Sequence, residues 1–333
     1  KGAGAAKQAG RAVLETAEFD YAWNLQLAPD VLANMEKGGK GKVVAAFGSA
    51  VERLEFNLTD PSADLPEGER STVKHPHPIL SDLRVRKALS MAINRNQLSE
   101  VGYGKSGRPT CNLVPAPALY ASDNTECLRQ DIEGAKALLD EAGWILGTDG
   151  VRQKNGMRLE LLLQTSVNRV RRDTMDQIKQ WWSAIGVDTE LRSIPGSVLF
   201  GSDPGSPDTY LKFYADVQMF ANLFHGTDPE SYLAEHTCEK APRPETQWAG
   251  ENINRYCDPE YDALVTELTK TGELSKRGEI AKKLNDMLTK DGHILLPLIA
   301  RGRVSGHANS LGGVIMNTWD SELWNVADWY RIK

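Results

Sequence analysis

The residues whose types and spacing could do chemistry fall into a few small sets. The four cysteines, Cys111, Cys127, Cys238 and Cys257, include no Cys-x-x-Cys motif. An even number without that motif is compatible with two disulfides, and four cysteines permit three connectivities. The other reading is four buried free thiols in a cytosolic protein. Pairing between sequence neighbours, Cys111 with Cys127 and Cys238 with Cys257, is expected, and with it an oxidising compartment. The run "HPHP" supplies His75 and His77, but two histidines with intervening prolines make an incomplete metal site. His236, Cys238 and Cys257 lack a fourth partner at ordinary spacing, and a disulfide would consume both thiols. No metal and no cofactor are expected. Asp, His and Ser are plentiful, yet no Gly-x-Ser-x-Gly elbow, His-Glu-x-x-His pair or glycine-rich phosphate loop is present, so an enzyme is not expected.

The segment at residues 80–96, "LSDLRVRKALSMAINRN", sets Arg84, Arg86, Lys87 and Arg95 beside an apolar run. It reads as a nucleic-acid contact, a membrane-surface helix or the edge of a buried helix. The net charge of −6 and the pI of about 5.6 oppose a nucleic-acid partner, which needs a concentrated basic face. Val85, Ala88, Leu89, Ala92 and Ile93 share one helical face, with Ser81 or Asp82 as N-cap. The reading taken is therefore a buried helix with a solvated basic edge. The charged residues make up 25% and the hydrophobic set 41% of the chain, which fits a globular protein. At 333 residues the chain is long enough for two lobes. No apolar run approaches the ~20 residues of a membrane span.

Other elements follow from the same patterns. Residues 5–17 carry a helical pattern, and residues 19–23 read as a strand. "VVAAFGSAVERLEFNL" has strand character. "DIEGAKALLDEAGW" is a helix that turns Ile132, Ala135, Leu138 and Leu139 inward and stops at Gly143. "RLELLLQTS" reads as a strand, followed by a helix through Ile185, a stop at Gly186 and a strand from Val187. This alternation predicts an α/β lobe. A last helix is expected over about residues 275–291. "ILLPLIARGRVSG" reads as extended and "WNVADWYRIK" as a short strand-like tail.

Several of these segments together carry a resemblance. "LSDLRVRKALSMAINRNQL", "AKALLDEAGW", "IKQWWSAIGVDTEL", "DPESYL", "NINRYCDPEYDAL" and "LLPL" occur in order along the chain. They resemble the corresponding motifs of the extracellular solute-binding proteins that serve peptide importers of the ABC type. The resemblance implies a two-lobed periplasmic-binding-protein fold (type II, peptide-binding class) with its first lobe incomplete. Residues 1–50 would belong to lobe I, residues 51–297 would form lobe II, and residues 298–333 would return to lobe I. It implies a periplasmic or membrane-anchored extracellular monomer that hands a peptide or peptide-like solute to a membrane permease. It also implies a missing N-terminal segment, without which residues 1–333 should aggregate or fail to bind solute.

The resemblance further implies that Trp23, Asn24, Arg53, Phe220, Asn222, Phe224, His225 and Arg301 lie at the solute. Peptide binders of this kind commonly carry an Asp for the peptide α-ammonium where this chain has His225. No acidic residue occurs in residues 217–227, and an imidazole does not neutralise a buried ammonium. The alternative reading is a non-peptide anionic solute, such as an opine or a sugar or phosphate conjugate. Arg301 would then pair with a carboxylate or phosphate.

Overall fold

A computed structural model describes residues 6–66 and 68–332. The larger sheet has six strands in the order β4–β11–β3–β10–β8–β9. These are β3 (Val51–Phe56), β4 (Gly107–Pro109), β8 (Glu160–Ser166), β9 (Asp188–Ile194), β10 (Val217–Asn222) and β11 (Leu295–Arg301). Strands β10, β8 and β9 run parallel, and the other neighbours are antiparallel. A smaller antiparallel sheet joins β1 (Tyr21–Ala22), β12 (Arg303–Ala308) and β2 (Gly41–Ala46). Helices α1 (Ala6–Leu14) and α2 (Pro29–Glu36) contribute Leu14 and Met35 to its core. A third sheet pairs β5 (Ile145–Leu146), β6 (Arg152–Lys154) and β7 (Met157–Arg158), and β13 (Leu311–Gly312) pairs with β14 (Tyr330–Arg331).

Strand alternation gives the large sheet two buried faces. Leu54, Phe56, Leu163, Val217 and Met219 pack with Val85, Leu89, Leu139, Ile178 and Trp182. Those partners come from α3 (Leu83–Met91), α5 (Ile132–Glu141) and α6 (Arg169–Ala184); α4 (Arg95–Gly102) adds Leu98. On the other face, Leu295 packs with Tyr232, Tyr261 and Leu284. These come from α8 (Glu230–Ala234), α9 (Pro259–Lys270) and α10 (Leu274–Asp286); α7 (Gly196–Leu199) is a single turn after β9. Burying one such Leu or Phe contributes about 1.5–3 kcal/mol.

Local chemistry explains the helix ends. Asp82, Asp131 and Asn168 each accept a hydrogen bond from a backbone N–H in the first turn of α3, α5 and α6. Gly143 and Gly186 follow α5 and α6 with φ of +84° and +85°, a left-handed conformation that glycine adopts without a Cβ clash. The disulfides Cys111–Cys127 and Cys238–Cys257 close sequence separations of 16 and 19 residues.

The last helix runs as expected to Asp291, with its final turn, Met287–Asp291, wound as a π-helix. Three expectations need correction. The first strand is confined to Tyr21–Ala22, and the expected helix start at Ala5 lies outside the described residues. The tail contains a 3-10 turn, Val326–Asp328, before β14. The basic edge at residues 84–95 is not uniformly solvated. Arg95 is 1% exposed and donates to the carbonyls of Pro297, Ser90 and Cys127. Arg86 is buried and donates to Leu80, Ser81 and Gly292 carbonyls. Backbone oxygens from distant segments replace the water that helical position alone led one to expect.

Candidate functional site

The chain passes between the two sheets twice, at residues 47–50 and at Gly302. The crossings run side by side: Arg301 N donates to Ala50 O at 2.8 Å. Beside them lies a cleft of about 860 Å³, lined from the small-sheet side by Trp23, Asn24, Gln26, Arg303 and Glu322 and from the large-sheet side by Ser166, Asn168, Arg171, Ala221 and His225. The latter group sits at and just beyond the carboxyl ends of the parallel strands β8 and β10, where open α/β sheets bind ligands.

The cleft floor is an ion cluster. Glu52, 1% exposed on β3, accepts from Arg171 Nε at 2.6 Å and from Tyr103 Oη at 3.1 Å. Gln26 Nε2 adds a bond at 3.3 Å, and Arg301 Nη1 lies 3.5 Å from the carboxylate. Burial alone would raise the Glu52 carboxyl; the Arg171 and Arg301 guanidiniums outweigh it and hold it below the usual carboxylate range. Burial, then the Glu52 charge, raises the Tyr103 hydroxyl, which stays protonated and donates. Two guanidiniums share one carboxylate, so the floor retains about one positive charge. The Arg301 Nη2 group donates to Asn24 Oδ1, and Asn24 stands at φ +53° to meet it. Glu322 is not free either, since Tyr21 and Ser305 donate to it. Above this polar floor Trp23, Phe200 and Leu323 are 69%, 45% and 47% exposed, an apolar surface open to the cleft.

Of the residues expected at the solute, the structure brings Trp23, Asn24, His225 and Arg301 into one cleft. Arg53, Phe220, Asn222 and Phe224 are not among its lining. Arg53 pairs with Ala221's neighbour Phe220 and Ala221 pairs with Glu52 across β3 and β10. Successive residues alternate faces, so Ala221 faces the cleft and Glu52 lies beneath it against Arg171 and Arg301, while Arg53 and Phe220 face away. Arg53 is buried between the Phe220 and Tyr232 rings, each 5.6 Å from its guanidinium, and donates to Glu55 and the Tyr232 hydroxyl. Asn222 Nδ2 reaches Glu235 at 3.4 Å. Phe224 is buried against Tyr232, and its carbonyl accepts from Ser49 Oγ at 2.6 Å, which ties this segment to the first crossing.

The sequence reading missed Gln26, Asn168, Arg171, Phe200 and Glu322. Asn168 and Arg171 were legible in principle, because they open the helix that follows a strand end. Glu322, in an irregular segment, carried no such signal. The two histidines of "HPHP" each meet a carboxylate. His75 Nε2 lies 2.7 Å from Glu69, and His77 Nε2 lies 2.8 Å from Asp216. His77 Nδ1 accepts from Ile79 and Leu80 N–H, so its Nε2–H donates to Asp216 and the ring holds a turn.

A model of the family described as bacterial extracellular solute-binding proteins, family 5, middle, matches residues 5–241. The dipeptide-binding protein of Escherichia coli (strain K12) is 24% identical over 209 residues, 61% of this chain and 35% of that protein. The di/tripeptide-binding protein 3 of Pseudomonas aeruginosa (strain UCBPP-PA14) is 25% identical over 215 residues, 64% of this chain and 36% of that protein. Among solved structures, the oligopeptide-binding protein AppA from Bacillus subtilis with a nonapeptide superposes with a TM-score of 0.78 at 18% identity, covering 98% of this chain and 59% of that one. NikZ from Campylobacter jejuni with Ni(L-His) gives 0.77 at 20% identity, covering 96% and 58%. The α/β fold is thus that of periplasmic peptide-binding proteins. The matched part spans roughly a third of the length of these curated relatives. Among the described residues no helix is long and apolar enough to cross a membrane.

Proposed function

The chain belongs to the bacterial extracellular solute-binding proteins of family 5, and we propose that in the whole protein its cleft captures a peptide or peptide-like solute for an ABC importer. The solute would be held between two lobes, residues 1–50 with 302–333 on one side and residues 51–301 on the other, and delivered to a membrane permease outside the cytoplasm. Residues 298–301, expected to return to lobe I, continue β11 of the large sheet. The observation that carries this reading is the cleft at the paired crossings, walled from both sheets. Small rotations at two adjacent strand connections close such a cleft without disturbing either core. The role is binding rather than catalysis, since the carboxylates and guanidiniums on the floor are engaged with one another.

The charge of the floor supports a narrower statement about the ligand. Glu52 and Glu322 are occupied, and His225 replaces the acid of the usual ammonium partner. The excess charge lies with Arg171 and Arg301. A solute carboxylate would therefore sit toward Arg301, its apolar groups against Trp23, Phe200 and Leu323, and its amine would be modified, absent or solvated. The same excess favours, as a second reading, a non-peptide anionic solute. Native mass spectrometry of the whole protein as purified tests both, because a trapped solute reports its mass. A peptide with a free carboxylate supports the first reading and another anion the second. An empty protein that gives no heat with peptides or with anionic conjugates refutes both.

A further inference from the structure

A second cavity, of about 430 Å³, lies away from the cleft. Its walls are α3, with Lys87, Ser90 and Met91, the loop at residues 124–131 that carries Cys127, and the turn after α10, with Thr289, Lys290 and His293. The solute-binding reading makes no use of it. Its walls carry Lys87, Arg129 and Lys290 against Glu126 and Asp131, an excess of one positive charge. Lys87 is exposed and makes no ion pair among the described residues. Arg129 and Lys290 face Asp131 and Glu126 only at 3.8 and 3.6 Å, in largely solvated pairs of the kind that contributes little. Arg95 is buried against this wall through Ser90 and Cys127, and all its partners are carbonyl or hydroxyl oxygens. Arg86, one residue before Lys87, is likewise held by carbonyls alone. Neither buried guanidinium has a carboxylate within hydrogen-bond reach, although Asp82 acts on Arg86 at longer range, and a buried charge without a direct ionic partner is costly.

His293 adds an independent observation. Its backbone stands at φ +44°, and its Nδ1 is buried with no hydrogen-bond partner. An unpaired buried polar atom is costly unless something satisfies it. Burial, with the positive charges of Arg95, Lys87 and Arg86, pushes the imidazole down to about 3, so it is neutral at physiological pH. Turned toward the cavity that it lines, the ring would meet a hydrogen phosphate in either tautomer, because phosphate offers charged oxygens that accept and a hydroxyl that donates.

We propose that this cavity is a second ligand site, which takes a phosphate group, free or as the monoester of a small solute, between Lys87, Lys290 and His293. The buried guanidiniums of Arg86 and Arg95 supply field, and the exposed lysines supply the direct contacts. A lysine ammonium meets phosphate as a point charge, without the fork geometry that an arginine would impose.

The test is isothermal calorimetry on the whole protein with inorganic phosphate, glycerol 3-phosphate and acetate. One phosphate is expected to bind per chain, and acetate to bind far more weakly. The Lys87→Gln/Lys290→Gln double variant should weaken phosphate by about tenfold or more, whereas the cleft variant Arg301→Gln should not change it. Both lysines are exposed, so circular dichroism should show an unchanged fold. Preference for inorganic phosphate identifies the free ion as the ligand, and equal or tighter binding of the ester identifies a phosphorylated solute. No binding at ~10 mM of either phosphate, or equal binding by the double variant, overturns the proposal. Loss of phosphate binding in Arg301→Gln instead would assign it to the cleft.

Discussion

Glu235 gives the sharpest test of the electrostatic reasoning. It follows α8, and its carboxylate's only hydrogen bond among the described residues is the long contact from Asn222 Nδ2 at 3.4 Å. Burial pushes its carboxyl up from 4.5 to about 7; Arg53 opposes this, while Glu251 and Glu55 reinforce it. Arg53 offsets only part of the burial effect, and it gives Glu235 no hydrogen bond because its donors are committed to Glu55 and Tyr232. The sign follows from proton counts. Between the unfolded and folded values the native state holds a proton that the unfolded state has released. The stabilisation from that proton is fully present below 4.5 and is lost as pH rises through about 7. The full gap corresponds to about 3 kcal/mol at ~1.4 kcal/mol per unit, and partial solvent contact reduces the expectation to about 2.

Glu235→Gln keeps the shape and removes the titration. His236 and His293 complicate the wild-type curve alone. Burial pushes both down to about 3, so they make stability fall as pH drops through their unfolded value of 6.5. Comparing variant with wild type at each pH removes that contribution. Urea unfolding at about pH 5 and about pH 8 should show the variant gaining about 2 kcal/mol on wild type at the higher pH. A difference that stays constant within about 0.5 kcal/mol, or one that moves the other way, refutes the assignment of a neutral Glu235.

Other perturbations probe other parts of the structure. Glu52→Gln leaves Arg171 and Arg301 facing each other without their carboxylate and should cost about 3–5 kcal/mol in urea unfolding; a loss below about 1 kcal/mol would show that the guanidiniums reach water. Replacing either disulfide pair by serine should cost about 3 kcal/mol by loop entropy, and non-reducing peptide mapping should recover Cys111 with Cys127 and Cys238 with Cys257. In the whole protein, calorimetry should show an N-acetylated peptide binding within about tenfold of its free-amine form, and His225→Asp should shift preference to the free amine. A strong wild-type preference for the free amine would mean that an acid outside the described cleft captures it. Trp23→Ala should weaken solute by about 1–2 kcal/mol through lost apolar contact, measured by the same titration.

What the sequence made legible was local. Helix faces, the N-cap of α3 at Asp82 and the glycine stops after α5 and α6 depend on residues within a few positions of one another, and the structure places them as read. The two sequence-neighbour disulfides are local in the same sense. The unreadable part was parity. Whether Arg53 or Glu52 faces the cleft depends on which face of β3 the partner strands cover. That is decided by β10 and β11, more than 150 residues away along the chain. A shift of one residue exchanges the two faces. Both residues are charged and both are buried, so polarity gave no hint of which was which. The buried arginines show the same limit. Arg95 and Lys87 look alike as cations flanking one apolar run, but only Arg95 meets the carbonyl of Pro297 on β11. A planar guanidinium can satisfy several carbonyls in one buried layer, whereas a lysine ammonium, more strongly hydrated, stays in water. The residue type therefore held part of the answer: among basic residues beside an apolar run, arginine is the one to suspect of facing inward, and its partner must come from elsewhere in the chain.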